Sequence, residues 1–232
     1  MFLISEFILG KYDEINTIEV FIIISVVSIV LYGYGMTIAR DRMNNGIRLP
    51  KIMIKDIVFL GIKSYIDFTV YLTVQGFILD LISSPLAFPE FNLEEMLIEL
   101  PETVHHLFSH NPMDTLIFII VGSVLFYITT FFMEIALARL ADSGSMKSAF
   151  NLVNIKRDID TAGWWDYAKE YTNIVLAIVL FAALKYIVIP NYILDLIWDV
   201  LLNLFMFVTQ FLGIGIIYSV IKEKKSNSDI KK

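Results

Sequence analysis

The sequence predicts an all-α fold: a polytopic membrane bundle of about five transmembrane helices with an amphipathic helix on its outer surface. Of the 232 residues, 57% are hydrophobic and 18% are charged, against roughly 45–50% and 25% in soluble proteins. The hydrophobic residues are concentrated in long uncharged runs, such as residues 20–39 and 116–133. A run of about 18 or more apolar residues matches the thickness of a bilayer core. Residues 1–221 are therefore predicted to form one transmembrane domain.

Five membrane spans follow from where these runs begin and end. The third has the clearest start, because Asn111 can cap the helix, Pro112 suits its first position and Asp114 complements its positive end. Aromatic residues near span boundaries are interpreted as interfacial anchors, namely Tyr32, Tyr34, Trp164 and Trp165. The polar end of the chain is predicted to be a disordered cytoplasmic tail over residues 222–232. The predicted spans are residues 18–39, 57–82, 113–138, 171–189 and 193–221.

The segment between the second and third spans, residues 86–113, has a different character. Apolar residues recur there at helical spacing, and glutamates occupy much of the remainder. Such a helix is amphipathic but too charged to cross a bilayer, so we expect it to lie at the outer membrane surface. The apolar positions are Leu93, Met96, Leu97 and Leu100.

The distribution of basic residues predicts the orientation of the spans. Of the 18 lysines and arginines, five lie in residues 40–55, five in 139–170 and five in 222–232. Five spans place these three segments on one side of the membrane. Basic segments are retained in the cytoplasm. We therefore expect a multi-pass protein of the cell membrane, with its N-terminus outside and its C-terminus in the cytoplasm.

The sequence predicts no catalytic, cofactor-binding or metal-binding site. It contains no cysteine, which excludes disulfides and thiolate chemistry. Glu102, His106 and His110 are spaced to share one helical face, which makes them candidates for metal ligands. No His-Glu-x-x-His motif accompanies them, and Pro112 limits the helix, so a polar surface segment is the favoured interpretation. No cofactor and no nucleic-acid partner are expected.

Three of the charged residues within the predicted spans are candidates for a function. Lys63 and Asp67 are four residues apart on the second span, and Glu134 ends a charge-free run on the third. Charges inside a membrane are costly unless they are paired or face water. Lys63 can extend towards the headgroups and pair with Asp67; alternatively, Lys63, Asp67 and Glu134 line a polar cavity. In either case we expect Glu134 to point into the bundle.

Charges at the outer ends of the last two spans predict an ion pair. Lys185 lies near the end of the fourth span, while Asp195 and Asp199 share a face at the start of the fifth. A short turn containing Pro190 brings these ends together. We expect Lys185 to lie within salt-bridge distance of one aspartate, and a stabilising pair is favoured over an ion-binding site.

The stretch YGYGMTIARDRMNNGIRLPKIMIKDIVFLGIK, residues 32–63, resembles a largely archaeal family of multi-pass membrane proteins known as domain of unknown function 4013. The resemblance rests on a Gly-Tyr element closing the first span, spaced arginines, a Leu-Pro segment and a second span opening with Gly-Ile-Lys. Family loops often carry a Trp-Gly pair after the Leu-Pro, whereas this chain has Met53-Ile54-Lys55-Asp56. The resemblance supports the membrane fold and implies no chemistry.

The sequence favours a non-enzymatic membrane protein, either a transporter-like bundle or an accessory membrane subunit. The alternative is an enzyme at the membrane surface that uses carboxylate or histidine residues. The lipid bilayer is the expected surrounding, and other membrane proteins or further copies of the chain are the expected partners.

Overall fold

The computed structural model describes residues 17–46, 49–83, 112–187 and 190–229. Across these ranges the regular secondary structure is entirely helical. In chain order the helices are α1 (Thr17–Met43), α2 (Ile54–Ser83), α3 (Pro112–Ser143), α4 (Met146–Ala149), α5 (Leu152–Ala162), α6 (Trp164–Leu184) and α7 (Tyr192–Asp229). The predicted all-α class is confirmed.

Five of these helices, α1, α2, α3, α6 and α7, are long and apolar enough to cross a membrane. Each is longer than the roughly 20 residues that span a bilayer core. Many of their large apolar side chains are exposed. A soluble protein rarely exposes so much apolar surface, whereas lipid tails cover it without cost. The protein is therefore a polytopic membrane helix bundle.

Most of the helices extend beyond the apolar runs that predicted them. Helix α1 continues to Met43 rather than ending at residue 39, α3 continues to Ser143 rather than 138, and α6 begins at Trp164 rather than 171. An apolar run marks the part of a helix that lies in lipid, and a helix does not end where its first charged residue appears. Four of the five spans located by hydropathy are thus shorter than the helices that contain them. The fourth was predicted to end at residue 189, whereas α6 ends at Leu184.

The predicted disordered tail is wrong for most of its length, because α7 continues to Asp229. Lysines in this extension contact other parts of the protein. Lys222 pairs with Asp142 at 2.9 Å, and Lys224 donates to the carbonyl oxygen of Ala162 at 2.6 Å. These contacts stabilise the last turns of the helix. A run of lysines seen only as sequence indicates solvation, since the acidic partners are distant in the chain.

The predicted outer ion pair is also wrong. Among the described residues Lys185 forms no salt bridge with Asp195 or Asp199. The ends of α6 and α7 are joined instead by the indole N–H of Trp198, which donates to the carbonyl oxygen of Leu184 at 3.2 Å. An indole donor that reaches a helix-end carbonyl joins two helices without the cost of desolvating two charges.

The chain divides into two compact units. The first contains the described residues up to Asp67 and from Met133 onward. In it, α7 packs against α1, α5 and α6. The fully buried side chains at its centre include Met36, Leu140, Ile155, Phe211 and Ile214. The short helices after α3 thus share a core with the long helices α1, α3 and α7.

Close packing in the first unit depends on glycine. A Cβ atom added to Gly33 would overlap the carbonyl oxygen of Ile57, and one added to Gly61 would overlap that of Ile29. The backbones of α1 and α2 are therefore in direct contact. Small residues allow membrane helices to approach this closely. The Gly-Tyr element of α1 and the Gly-Ile-Lys element of α2 are two sides of one helix crossing.

The second unit contains the described residues between Phe68 and Phe132, which form the later part of α2 and the earlier part of α3. Its large apolar side chains are mostly exposed, as lipid-facing residues would be. Most of the predicted surface segment, residues 86–111, lies outside the described residues. The amphipathic surface helix therefore stays a prediction.

Candidate functional site

The C-terminal end of α3 is capped by two cations. The Nε atom of Arg40 donates to the carbonyl oxygen of Ala141 at 2.5 Å, and Lys63 Nζ donates to that of Gly144 at 2.5 Å. Gly144 has a φ of 67°, the left-handed conformation that commonly ends a helix. Cations at this position satisfy free carbonyls and complement the helix dipole. Lys63 therefore caps α3, and the predicted pair with Asp67 is not formed.

A buried charge cluster lies beside this cap. The carboxylate of Asp158 is completely buried. Its Oδ2 atom accepts from Arg139 Nη1 at 2.6 Å and from the Tyr218 hydroxyl at 3.4 Å, and its Oδ1 atom accepts from Lys225 Nζ at 2.5 Å. The cluster joins α3, α5 and α7. Because every charge in it is paired, it serves to hold α5 in place rather than to bind a ligand.

Glu134 lies deeper along α3. The residue is 8% exposed, which confirms that it points into the protein. Its Oε1 atom accepts a hydrogen bond from Gln210 Nε2 of α7 at 3.3 Å. Arg139 and Lys63, the cations nearest in the sequence pattern, bind Asp158 and Gly144 instead. Glu134 is therefore a buried carboxyl whose partner is a neutral amide.

Gln210 also lines a cavity of about 180 Å³ between α1, α6 and α7. The wall contains three polar side chains, and the remainder is aliphatic or aromatic. Glu134 interacts electrostatically with Tyr32, another residue of the wall. The cavity lies in the middle third of α1 and of α7, where the helices are most apolar. Its lining residues are Ser28, Leu31, Tyr32, Ile178, Met206, Phe207, Gln210 and Phe211.

Aromatic rings form one side of this cavity. The ring of Phe211 stands edge-on to Tyr32 with centroids 6.2 Å apart, and it lies 5.0 Å from the ring of Phe207. Gly35 permits this arrangement, because a Cβ atom at Gly35 would overlap the Phe211 ring. The second glycine of the Gly-Tyr element thus positions an aromatic residue of the cavity.

A second cavity, of about 240 Å³, lies at the C-terminal end of α1 and is lined in part by Asp41 and Arg42. The Arg42 guanidinium donates to the carbonyl oxygen of Gly46 at 3.2 Å. Arg42 is thereby committed to closing the turn after α1. The candidate functional site is therefore the first cavity, which lies between three of the helices that are long and apolar enough to cross a membrane.

Asp67 is a third buried carboxyl of the first unit, after Asp158 and Glu134. It is fully buried, and among the described residues neither of its oxygen atoms has a hydrogen-bond partner. An unsatisfied buried polar group destabilises a protein. Neither Lys63, Asp67 nor Glu134 lines either of the two cavities described above. A cavity shared by all three residues stays a prediction.

The metal candidates Glu102, His106 and His110 lie outside the described residues. Within the described ranges, no group of three or more histidine, aspartate or glutamate side chains could hold a metal ion.

The exposed carboxyl of Asp160 on α5 is bound by neighbouring side chains. Lys156 and the Trp164 indole both donate to it, which holds the pKa of that carboxyl below its ordinary value. Trp164 is thus tied to α5 in addition to its expected place at the interface.

Sequence reasoning missed Gln210 and Asp158, although each left a signal. Gln210 is an amide in the middle of a long apolar span, where a polar side chain needs a partner. Asp158 lies between Ile155 and Ile159 on the face that α5 buries. A carboxylate on a buried face indicates a cationic partner elsewhere in the fold. Tyr32, interpreted as an interfacial anchor, lines the cavity instead.

Comparison with known proteins gives a family without an assigned activity. The family model described as protein of unknown function (DUF4013) matches residues 18–194. No curated protein and no solved structure matches the chain. The matched region includes Tyr32 and Glu134, and it ends before Gln210.

Proposed function

The chain belongs to the family of proteins of unknown function DUF4013, and from its own geometry we propose that it is a non-enzymatic, transporter-like membrane protein. Its solute binds in the cavity between α1, α6 and α7. Glu134 and Gln210 form the polar centre of this site. The largely archaeal origin of the family stays an expectation of the sequence resemblance.

The hydrogen bond between Gln210 and Glu134 is the observation that carries this proposal. An ionisable group inside a membrane is expensive, by at least about 2–3 kcal/mol, and such groups mark substrate or ion pathways. Glu134 has no salt-bridge partner among the described residues. Its amide partner faces a cavity rather than packed side chains.

The location of the cavity supports the same proposal. Solute sites of transporters lie near the bilayer midplane, between helices that can move relative to one another. Here α1 and α7 contribute residues from their middle thirds. By contrast, the inner helix ends are held together by Arg40, Lys63 and the Asp158 cluster. The proposed protein thus has a firmly tied cytoplasmic end and a solute site within the membrane.

Orientation and location form part of the proposal. The basic loops and the end of α7 face the cytoplasm, and the segment preceding α1 faces outward, in a multi-pass protein of the cell membrane. The charge bias of the loops supports this orientation. Association with other membrane proteins, or with further copies of the chain, is compatible with the apolar surface of the helices.

Substituted-cysteine labelling tests whether the cavity is open to aqueous solutes. The chain has no native cysteine, so a single introduced thiol is the only target. We expect Ser28→Cys, in the cavity, to react with a water-soluble methanethiosulfonate reagent. The control is Val26→Cys on the same helix, where Val26 is 56% exposed on the apolar surface and is expected to face lipid. Equal reactivity of the two thiols, or an unreactive Ser28→Cys, would contradict the proposal.

A further inference from the structure

The cavity presents a hydrogen-bond acceptor. Gln210 directs its amide nitrogen to a carboxylate oxygen of Glu134. A carboxylate only accepts hydrogen bonds, so this contact fixes which end of the amide faces Glu134. The amide oxygen of Gln210 is left to accept from another donor. A solute that binds beside Gln210 is therefore selected for an N–H or O–H group.

The electrostatics of the cavity favour a positive charge. Its lining contains no basic residue. The nearby cations are used elsewhere: Lys63 binds Gly144, Arg40 binds Ala141 and Arg139 binds Asp158. A Glu134 carboxylate thus lacks a countercharge on the protein, and a cationic solute would supply it. In a medium of low dielectric constant, such a charge is felt through an intervening side chain.

The aromatic wall favours the same class of solute. Tyr32, Phe207 and Phe211 all line the cavity. The negative faces of aromatic rings attract cations, and the attraction is larger when the cation is desolvated. Among the described residues the wall offers an anion no positive group, and the carboxyl of Glu134 lies behind Gln210.

From these three features we infer that the solute is a small organic cation that carries N–H donors, such as a primary ammonium compound. This inference rests on the proposed function and specifies its substrate class. An engineered cavity of about 150 Å³ binds benzene, so a volume of about 180 Å³ suits an ammonium compound with a short alkyl chain. The ammonium group donates to Gln210 and neutralises Glu134, and the alkyl chain contacts the rings.

Protection of the introduced thiol tests this inference on the full-length chain. Ser28→Cys protein in nanodiscs is labelled with a methanethiosulfonate reagent in the presence of propylammonium, tetramethylammonium or 1-propanol, at constant ionic strength. Propylammonium has both charge and donors, tetramethylammonium has charge alone, and propanol has a donor alone. We expect propylammonium to protect at a concentration at least about tenfold lower than the other two, since a hydrogen bond involving a charged group is worth about 1.5–3 kcal/mol.

A second variant assigns the protection to Glu134. In the Ser28→Cys background, Glu134→Gln should raise the protecting concentration of propylammonium at least about tenfold, while Glu223→Gln, an exposed carboxyl on α7, should leave it unchanged. Gln210→Leu provides the same test if Glu134→Gln does not yield folded protein.

The outcomes separate this inference from the proposed function. If Ser28→Cys reacts and propanol or tetramethylammonium protects as well as propylammonium, the substrate class is wrong and the accessible cavity stands. Protection that survives both Glu134→Gln and Gln210→Leu also overturns the inference. An unreactive Ser28→Cys would contradict the accessible cavity itself, and the inference with it.

Discussion

Glu134 of α3 accepts a hydrogen bond from Gln210 of α7, with 3.3 Å between Oε1 and Nε2. The two residues are far apart in the sequence, and each lies in a long apolar helix. Their contact puts a carboxyl one side chain away from a cavity inside the membrane bundle. Two other features of the first unit hold the helices around this contact. Gly33 and Gly61 let α1 pack directly against α2, and the Asp158 cluster joins α3, α5 and α7.

The buried ion pairs of Asp158 should dominate the stability of the region where α3, α5 and α7 meet. Replacing Asp158 with asparagine leaves Arg139 without its ionic partner and removes the ionic partner of Lys225. Loss of one member of a buried pair costs about 3–5 kcal/mol, so we expect a large fall in the melting temperature in detergent.

The matched control for Asp158 is Asp160→Asn, on the same helix. Asp160 pairs with Lys156 at the surface, and exposed pairs contribute little. A melting temperature that falls equally in both variants would contradict the assignment of Asp158 as the residue that anchors α5.

The helix crossing at Gly33 predicts a sharp difference between two glycines. Gly33→Ala should destabilise the protein and reduce the yield of folded material, because a Cβ atom there would overlap the Ile57 carbonyl oxygen. Gly76→Ala should be neutral or stabilising, since no atom of the described residues lies within 4 Å of its added Cβ and alanine favours the helix by roughly 0.5–1 kcal/mol. Size-exclusion chromatography and thermal unfolding measure both. A tolerated Gly33→Ala would contradict the backbone contact.

Much of the fold could be predicted from sequence, because hydropathy reports directly on helices that cross a bilayer. The burial of Glu134 followed from the cost of a charge in lipid and is confirmed. The partners of the charged residues could not be predicted from sequence. Lys63 had a carboxylate one helical turn away in Asp67, yet it binds Gly144, which is distant in the chain. Every residue has a backbone carbonyl, so the sequence does not show which carbonyl a lysine will bind.

The resemblance over residues 32–63 likewise predicted a membrane helix bundle, but it did not predict the roles of the residues that carry it. In the structure, Gly33 and Gly61 form the helix crossing, and Arg40 and Lys63 cap α3. Tyr32 is the member of that block that lines the cavity. Most of the recognisable pattern therefore serves helix packing, and residues of α7 beyond the matched region complete the candidate site.

The buried carboxyl of Asp67 should lower the free energy of unfolding of the protein. Because neither of its oxygen atoms has a hydrogen-bond partner among the described residues, replacing it with leucine of similar size should stabilise the fold by about 1–3 kcal/mol. Asp67→Asn is the control, since it keeps a buried polar group and should give no such gain. Thermal unfolding in detergent measures the difference. Destabilisation by leucine that asparagine does not share would show that the carboxyl has a structural partner.

The proposed orientation predicts which thiols an impermeant reagent reaches in intact cells. A cysteine at Asn45 or Ser228 should be protected until the cells are opened, because both positions would face the cytoplasm. A cysteine at Ser109 should be labelled from outside. The absence of native cysteines makes the background low. Labelling at Asn45 combined with protection at Ser109 would reverse the topology.

The most direct test of a transporter-like function is the sidedness of access to the cavity. Ser28→Cys is exposed to an impermeant, cationic methanethiosulfonate reagent in intact cells and, separately, in inverted membrane vesicles. A carrier opens its solute site to each side in turn, so we expect labelling in both preparations, with Val26→Cys unlabelled in both. Labelling of Ser28→Cys from one side only, or from neither, would contradict the account.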